Sequence, residues 1–216
     1  MNASSIRNPL LCALLCAAGA AHANLLANGS FENGTFSPPM DDTVSLGAGS
    51  TTITGWTVTG DSLAWIGAGN PYSLSATNGT KFLDLTDYFT GPPFGGVTQT
   101  VATITGASYA LSFDLGSSDP YGRPNAITAS AGATAGLFTV PVTSTGVNRW
   151  DRFTLSFTAG AGSTTAITLQ GTVGQNYIGL DNVDLVATSA VPEPQSVALM
   201  LAGLAAVGVA ARRRRG

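Results

Sequence analysis

The sequence predicts an all-β domain, and three observations lead there. Apolar and polar residues alternate with period two along several segments, which is the mark of half-buried strands. Glycine, proline and asparagine turn signals separate those segments at short intervals. Between residues 24 and 190 no amphipathic helical pattern of ten or more residues occurs. Short strands at this spacing make a sandwich or a barrel, and the absence of an internal repeat argues against a propeller or solenoid.

The chain opens on a targeting segment, residues 1–23. Arg7 supplies a weakly positive start, Leu10 to Ala18 an apolar stretch, and Ala21-His22-Ala23 a small-residue cleavage site. Cleavage there leaves Asn24 first. Both cysteines, Cys12 and Cys16, and the only histidine, His22, fall in this piece, so the mature body has neither disulfide nor imidazole. A Ser-His-Asp or Cys-His machine is thereby excluded, and a zinc site is disfavoured.

The body, residues 24–187, is long enough for one domain with a sizeable core. Between residues 24 and 190 eleven acidic residues face four basic ones, a net −7. That balance repels nucleic acid and offers no basic stripe to phosphates. Strands are expected at Leu25-Leu26, Thr51 to Val58, Leu63 to Ile66, Phe82 to Leu85, Val97 to Ile104 and Tyr109 to Leu115. Others are expected at Ile127 to Ser130, Leu137 to Val142, Phe153 to Thr158, Ala166 to Gln170, Tyr177 to Leu180 and Val183 to Val186. Ile178 and Leu180 share one face, whereas Val183 and Leu185 require a shift of one residue. That predicts a bulge at Asp181-Asn182.

After a proline-containing linker, 188–195, comes a charge-free run, 196–211, and then a tail, 212–216, with Arg212, Arg213, Arg214 and Arg215. Sixteen helical residues reach about 24 Å, slightly less than a ~30 Å hydrocarbon core, and snorkelling arginines make up the difference. Each arginine costs on the order of 3 kcal/mol at the bilayer centre, so the cluster is a cytoplasmic stop and the body lies outside. The order Val191-Pro192-Glu193-Pro194, apolar span, arginine cluster closely resembles the PEP-CTERM sorting signal. The resemblance implies export through the inner membrane of a Gram-negative bacterium, transient anchoring by a transmembrane helix, and processing by an exosortase partner. A permanent anchor is the alternative.

The body carries a second resemblance. Asn28-Gly29-Ser30-Phe31-Glu32, Gly55-Trp56, Gly79-Thr80-Lys81-Phe82-Leu83-Asp84, Tyr109-Ala110-Leu111-Ser112-Phe113 and Gly179-Leu180-Asp181-Asn182-Val183-Asp184 follow in the order seen in galactose-binding-like jelly rolls. The superfamily includes many carbohydrate-binding modules. It implies one antiparallel β-sandwich with adjacent first and last strands, and a structural Ca²⁺ between them. Glu32 and Asp181 are the matching metal ligands, with Asp184 weaker. The alternative is that these carboxylates are solvated or bonded to backbone N–H groups.

Two loops are candidates for ligand contact. Tyr88, Phe89 and Phe94 sit beside glycine and prolines, where rings can stack on sugars or fold over the sandwich end. Asp119, Tyr121, Arg123 and Asn125 combine a ring, a carboxylate, a guanidinium and an amide, the groups that polar sugar recognition uses. Trp56 reads as core. Trp65 is either core or a stacking platform, and Trp150 either caps the core or lies at its rim. The expected protein is a non-enzymatic surface or matrix domain binding carbohydrate, its own exopolysaccharide for preference. The alternatives are a structural surface protein without a ligand, or a glycosidase using Asp84 with Asp87 or Asp114 with Asp119.

The sorting reading has a direct check. Intact-mass measurement on released protein should place the C-terminus between Pro192 and Ser196. A mass that includes Arg212 to Arg215 would establish the permanent anchor instead.

Overall fold

Two antiparallel sheets pack face to face in the computed structural model, which describes residues 23–118, 124–141, 148–188 and 203. The eleven strands are β1 (Thr43–Leu46), β2 (Thr57–Gly60), β3 (Leu63–Ile66), β4 (Phe82–Asp84), β5 (Gly95–Ala102) and β6 (Ser108–Ser118), followed by β7 (Asn125–Ala131), β8 (Thr134–Val140), β9 (Asn148–Thr158), β10 (Thr164–Val173) and β11 (Gly179–Ala187). One sheet runs β1-β3-β4-β11-β6-β9 and the other β2-β5-β10-β7-β8. Of the sandwich or barrel that the strand spacing left open, the sandwich implied by the jelly-roll resemblance is what forms.

The alternating segments supply the interior. Leu111, Phe113 and Leu115 of β6 and Leu155 and Phe157 of β9 meet Ile127 of β7 and Ile167 and Leu169 of β10 in one buried cluster. Burying a side chain of this size contributes about 1.5–3 kcal/mol, so the inter-sheet contact dominates the stability. Trp56 and Trp65 both belong to this core. Their indole N–H groups donate to the carbonyls of Asn28 and Phe31, each at 3.0 Å. The two tryptophans therefore tie the opening segment to the sandwich as well as filling it.

Strands β3 and β4 are buried on both faces. Leu63, Trp65 and Leu83 point into the main core, whereas Ala64, Ile66 and Phe82 join Tyr177 in a second cluster on the outer face. Leu74, Ala76, Tyr88 and Trp150 cover that cluster. The segments between β3 and β4 and between β4 and β5 thus fold back over the sheet, which explains the unbroken apolar run of β3.

The chain ends are stitched together. The amide of Leu25 donates to the carbonyl of Leu185 and that of Val183 to Gly29, both at 2.8 Å. The side chain of Asn24 imitates a strand: its Oδ1 accepts from the amides of Leu26 and Leu185, and its Nδ2 donates to Val183. The predicted bulge is present as a register shift between Asp181 and Asp184, with Asn182 at φ 52°.

Some expectations change. Leu25-Leu26 makes no strand and meets β11 through one backbone bond. Of Thr51 to Val58, only the end enters β2, while Ile53 forms an isolated bridge with Gly34. Tyr177 to Leu180 and Val183 to Val186 are not separate strands; from Gly179 onward they belong to one continuous, bulged β11, with Tyr177 and Ile178 just before it. β1 was not legible, because four residues of Thr-Val-Ser-Leu are too short a pattern to stand out. Among the described residues no helix is long and apolar enough to cross a membrane. The signal segment 1–22 and, except for residue 203, the expected span 196–211 lie outside the described residues.

Candidate ligand-binding site

The bulge brings Glu32 and Asp181 to one loop, but as acceptors of N–H groups. Asp181, fully buried, accepts from the amides of Thr77 (2.7 Å), Asn78 (2.9 Å) and Asn182 (2.6 Å), and from the Thr77 hydroxyl. Glu32 accepts from the amides of Thr80 (2.7 Å) and Lys81 (2.6 Å), from the Thr80 hydroxyl and from Lys81 Nζ. All four carboxylate oxygens face donors, whereas Ca²⁺ requires six to eight oxygens turned towards it. Among the described residues no group of three or more His, Cys, Asp or Glu side chains could hold a metal. In this arrangement the residues do not fit a calcium ion. The structure instead has the alternative geometry, with both carboxylates capping the loop between β3 and β4. Asp184 lies two residues beyond Asn182, half-buried and apart from this capping.

Asp84 plays the same role at the other long loop. It is fully buried and accepts from the amides of Thr86 (2.9 Å), Ile178 (2.8 Å) and Tyr88 (3.3 Å), and from the Thr86 hydroxyl. Burial pushes the carboxyls of Asp84 and Asp181 up to about 6, against the pull of these donors. Burial also raises Glu32, but there the N–H bonds from Thr80 and Lys81 and the Lys81 charge outweigh it, and its pKa is lowered. Of the carboxylates proposed from sequence as catalytic pairs, Asp84, Asp87 and Asp114 have structural partners, while Asp119 lies outside the described residues. Asp87 meets the Ser45 hydroxyl, and Asp114 pairs with Arg152 at 3.0 Å.

The aromatic loop divides into core and surface. Phe94 is 5% exposed and packs in the main core, so it is no ligand contact. Gly171 makes room for it, since a Cβ there would lie 2.8 Å from the Phe94 Cβ. Tyr88 is half-buried over the outer cluster; its hydroxyl meets Thr43 Oγ1 at 3.2 Å, and burial pushes its pKa up to about 12. Phe89 is 58% exposed. It lines an open cleft of about 370 Å³ with Asp61, Thr90, Gly91, Pro92 and Pro93. The loop is held from beneath, where the amide of Asn176 donates to Phe89 and its side chain to Tyr88. Tyr72, which the sequence reading passed over, is 46% exposed and packs on Tyr88 with centroids 5.4 Å apart. Its place in the Asn70-Pro71 turn was the available signal.

The second candidate loop does not assemble as expected. Asp119, Tyr121 and Arg123 lie outside the described residues. Asn125 is buried at the start of β7 and its amide donates to the Gly116 carbonyl at 2.8 Å, so it supports the fold and is not a ligand contact. Trp150 occupies the rim, donating to the Ser75 carbonyl and packing edge-on against Phe82.

Residues 24–179 match the family described as Protein of unknown function (DUF642). The chain belongs to the DUF642 family. Residues 190–215 match the PEP-CTERM protein-sorting motif. The matched DUF642 segment ends where β11 begins, although β11 completes its sheet. Solved structures similar to this chain include a CBM4 structure, with 17% identity, coverage of 76% of this chain and 99% of that one, and a TM-score of 0.45. Another is TmCBM61 in complex with β-1,4-galactotriose, at 20%, 76% and 99%, and 0.44. A third is the CBM22-1 xylan-binding domain from Paenibacillus barcinonensis Xyn10C, at 15%, 68% and 95%, and 0.45. No curated protein matches the chain.

The buried carboxylates set a pH dependence. Asp84 and Asp181 bind their protons more tightly folded than unfolded, so their contribution is full below the ordinary value of 3.8 and is lost as pH rises through about 6. For Asp84 the span corresponds to on the order of 3 kcal/mol. Glu32 works in reverse, its contribution disappearing as pH falls below the ordinary 4.5. Thermal melts should therefore show the DUF642 domain several degrees more stable at pH 5 than at pH 8. The difference should shrink in Asp84→Ala.

Proposed function

We propose that the DUF642 domain is a non-catalytic glycan-binding module. An exosortase releases it from an inner-membrane-anchored precursor to the cell surface or extracellular matrix, where it holds exopolysaccharide. The sorting motif supports the destination. The cleft beside Phe89 is the observation that carries the ligand reading. An exposed ring, two proline faces, the Thr90 hydroxyl and the Asp61 carboxylate border one open depression. Apolar C–H faces of a sugar stack on the ring and prolines, while its hydroxyls bond to Asp61 and Thr90. Such a shallow site binds weakly, and many copies along one polymer raise the avidity. The acidic body favours a neutral glycan over an anionic one.

Affinity electrophoresis in gels containing the producing organism's exopolysaccharide, or a panel of neutral plant polysaccharides, tests the reading. Wild-type protein should be retarded. Phe89→Ala should weaken retardation roughly tenfold, about 1.4 kcal/mol, at an unchanged melting temperature. Equal mobility of Phe89→Ala and wild type would remove the cleft from the proposal. A folded wild-type domain retarded by none of the polymers would favour a structural protein without a ligand.

A further inference from the structure

A second cleft, of about 350 Å³, opens where the chain ends meet the bulge of β11. Its lining includes Asn24, Ser30, Asn78, Arg152, Asn182 and Asp184, and among the described residues Leu26 and Val183 are its only large apolar ones. Most of the amides there are occupied in holding its shape. Asn24 clamps Leu185 and Val183. Asn182 donates to Asp114 at 3.0 Å and accepts from Asn78 at 3.0 Å. Arg152 donates through Nη1 to both Asp114 and the Asn182 carbonyl.

Three groups are left over. Among the described residues nothing bonds to the Asp184 carboxylate, to the Ser30 hydroxyl, or to Nε and Nη2 of Arg152, whose side chain is 41% exposed. The bulge is the cause for Asp184, because the one-residue shift places the side chains of β11 differently before and after it. Donors on a guanidinium, acceptors on a carboxylate and a hydroxyl that does both line one cleft.

We propose that this cleft is a second saccharide site, reading the hydroxyls of a neutral sugar by hydrogen bonds; the proposal rests on the glycan-binding reading of the domain. A pair of neighbouring sugar hydroxyls accepts from Arg152 and donates to Asp184, with Ser30 free to serve either way. An anion would meet Asp184 and the acidic body, and a cation would meet Arg152, so an uncharged polyol satisfies both walls. Among the described residues no aromatic ring lines the cleft. Hydroxyl configuration, more than the ring face, therefore decides affinity, because a misplaced hydroxyl leaves a polar group unpaired. The Phe89 cleft, with its apolar walls, supplies the complementary contact to a polymer.

The test is an amide NMR titration of the mature domain with D-glucose, D-galactose and D-mannose separately. One of them should shift Ser30, Asn182, Val183 and Asp184 more than the others do. Asp184→Ala and Ser30→Ala remove groups without partners, so both should melt like wild type. Asp184→Ala should lose at least tenfold in affinity. Phe89→Ala should leave the shifts at residues 30 and 182–184 intact, which separates the two sites. Shifts confined to residues 89–93 would overturn this site and leave the Phe89 cleft standing. Shifts at residues 182–184 that survive Asp184→Ala unchanged would overturn it too, as would no shifts with any of the three sugars.

Discussion

Buried carboxylates on strands β4 and β11, with Glu32 beside them, hold this domain's two long loops. A segment that folds over a sheet face buries its backbone N–H groups, and each needs an acceptor. Asp84, Asp181 and Glu32 together accept from eight backbone amides: Thr86, Tyr88, Ile178, Thr77, Asn78, Asn182, Thr80 and Lys81. Of the three, Glu32 also has a cation at hand, Lys81, at 3.4 Å. The arrangement accepts a desolvation penalty at neutral pH in exchange for loop order. An ionised carboxylate is the strongest acceptor available for several N–H groups at once.

Those loops determine which side chains reach solvent and border the two clefts. The loop from Asp84 presents Phe89 to solvent while half-burying Tyr88 before it and burying Phe94 after it. The bulge next to Asp181 sets Asp184 apart from the capping network, facing the cleft that Arg152 borders. Buried capping positions and solvent-facing positions thus alternate along the chain at intervals of a few residues. This is the reason both clefts lie beside a buried carboxylate.

Much of the scaffold was legible in the sequence. Period-two alternation located β6, β9 and β10, and the parity break between Leu180 and Val183 located the bulge before any coordinates. The sites were less legible, because solvent exposure of a loop residue depends on distant partners. Phe89 and Phe94 both lie beside glycine and proline, yet only Phe94 packs in the core, against Gly171 of β10. Asn125 looked like a loop amide and is the first residue of β7. Glu32 and Asp181 both cap residues 77–81, but from sequence their charge could be answered by a metal or by N–H groups. Nothing in the residue types chose between the two. Asp61, Tyr72, Ser30 and Arg152 gave no signal beyond composition or turn context.

The central claim is that carboxylates cap the loop amides directly. Amide hydrogen exchange in EDTA, after removal of bound metal is verified, tests it most directly. The account predicts that Thr77, Asn78, Thr80, Lys81 and Thr86 remain protected in EDTA and that added Ca²⁺ changes nothing. Rapid exchange of the 77–81 amides in EDTA, with protection restored by Ca²⁺, would contradict it.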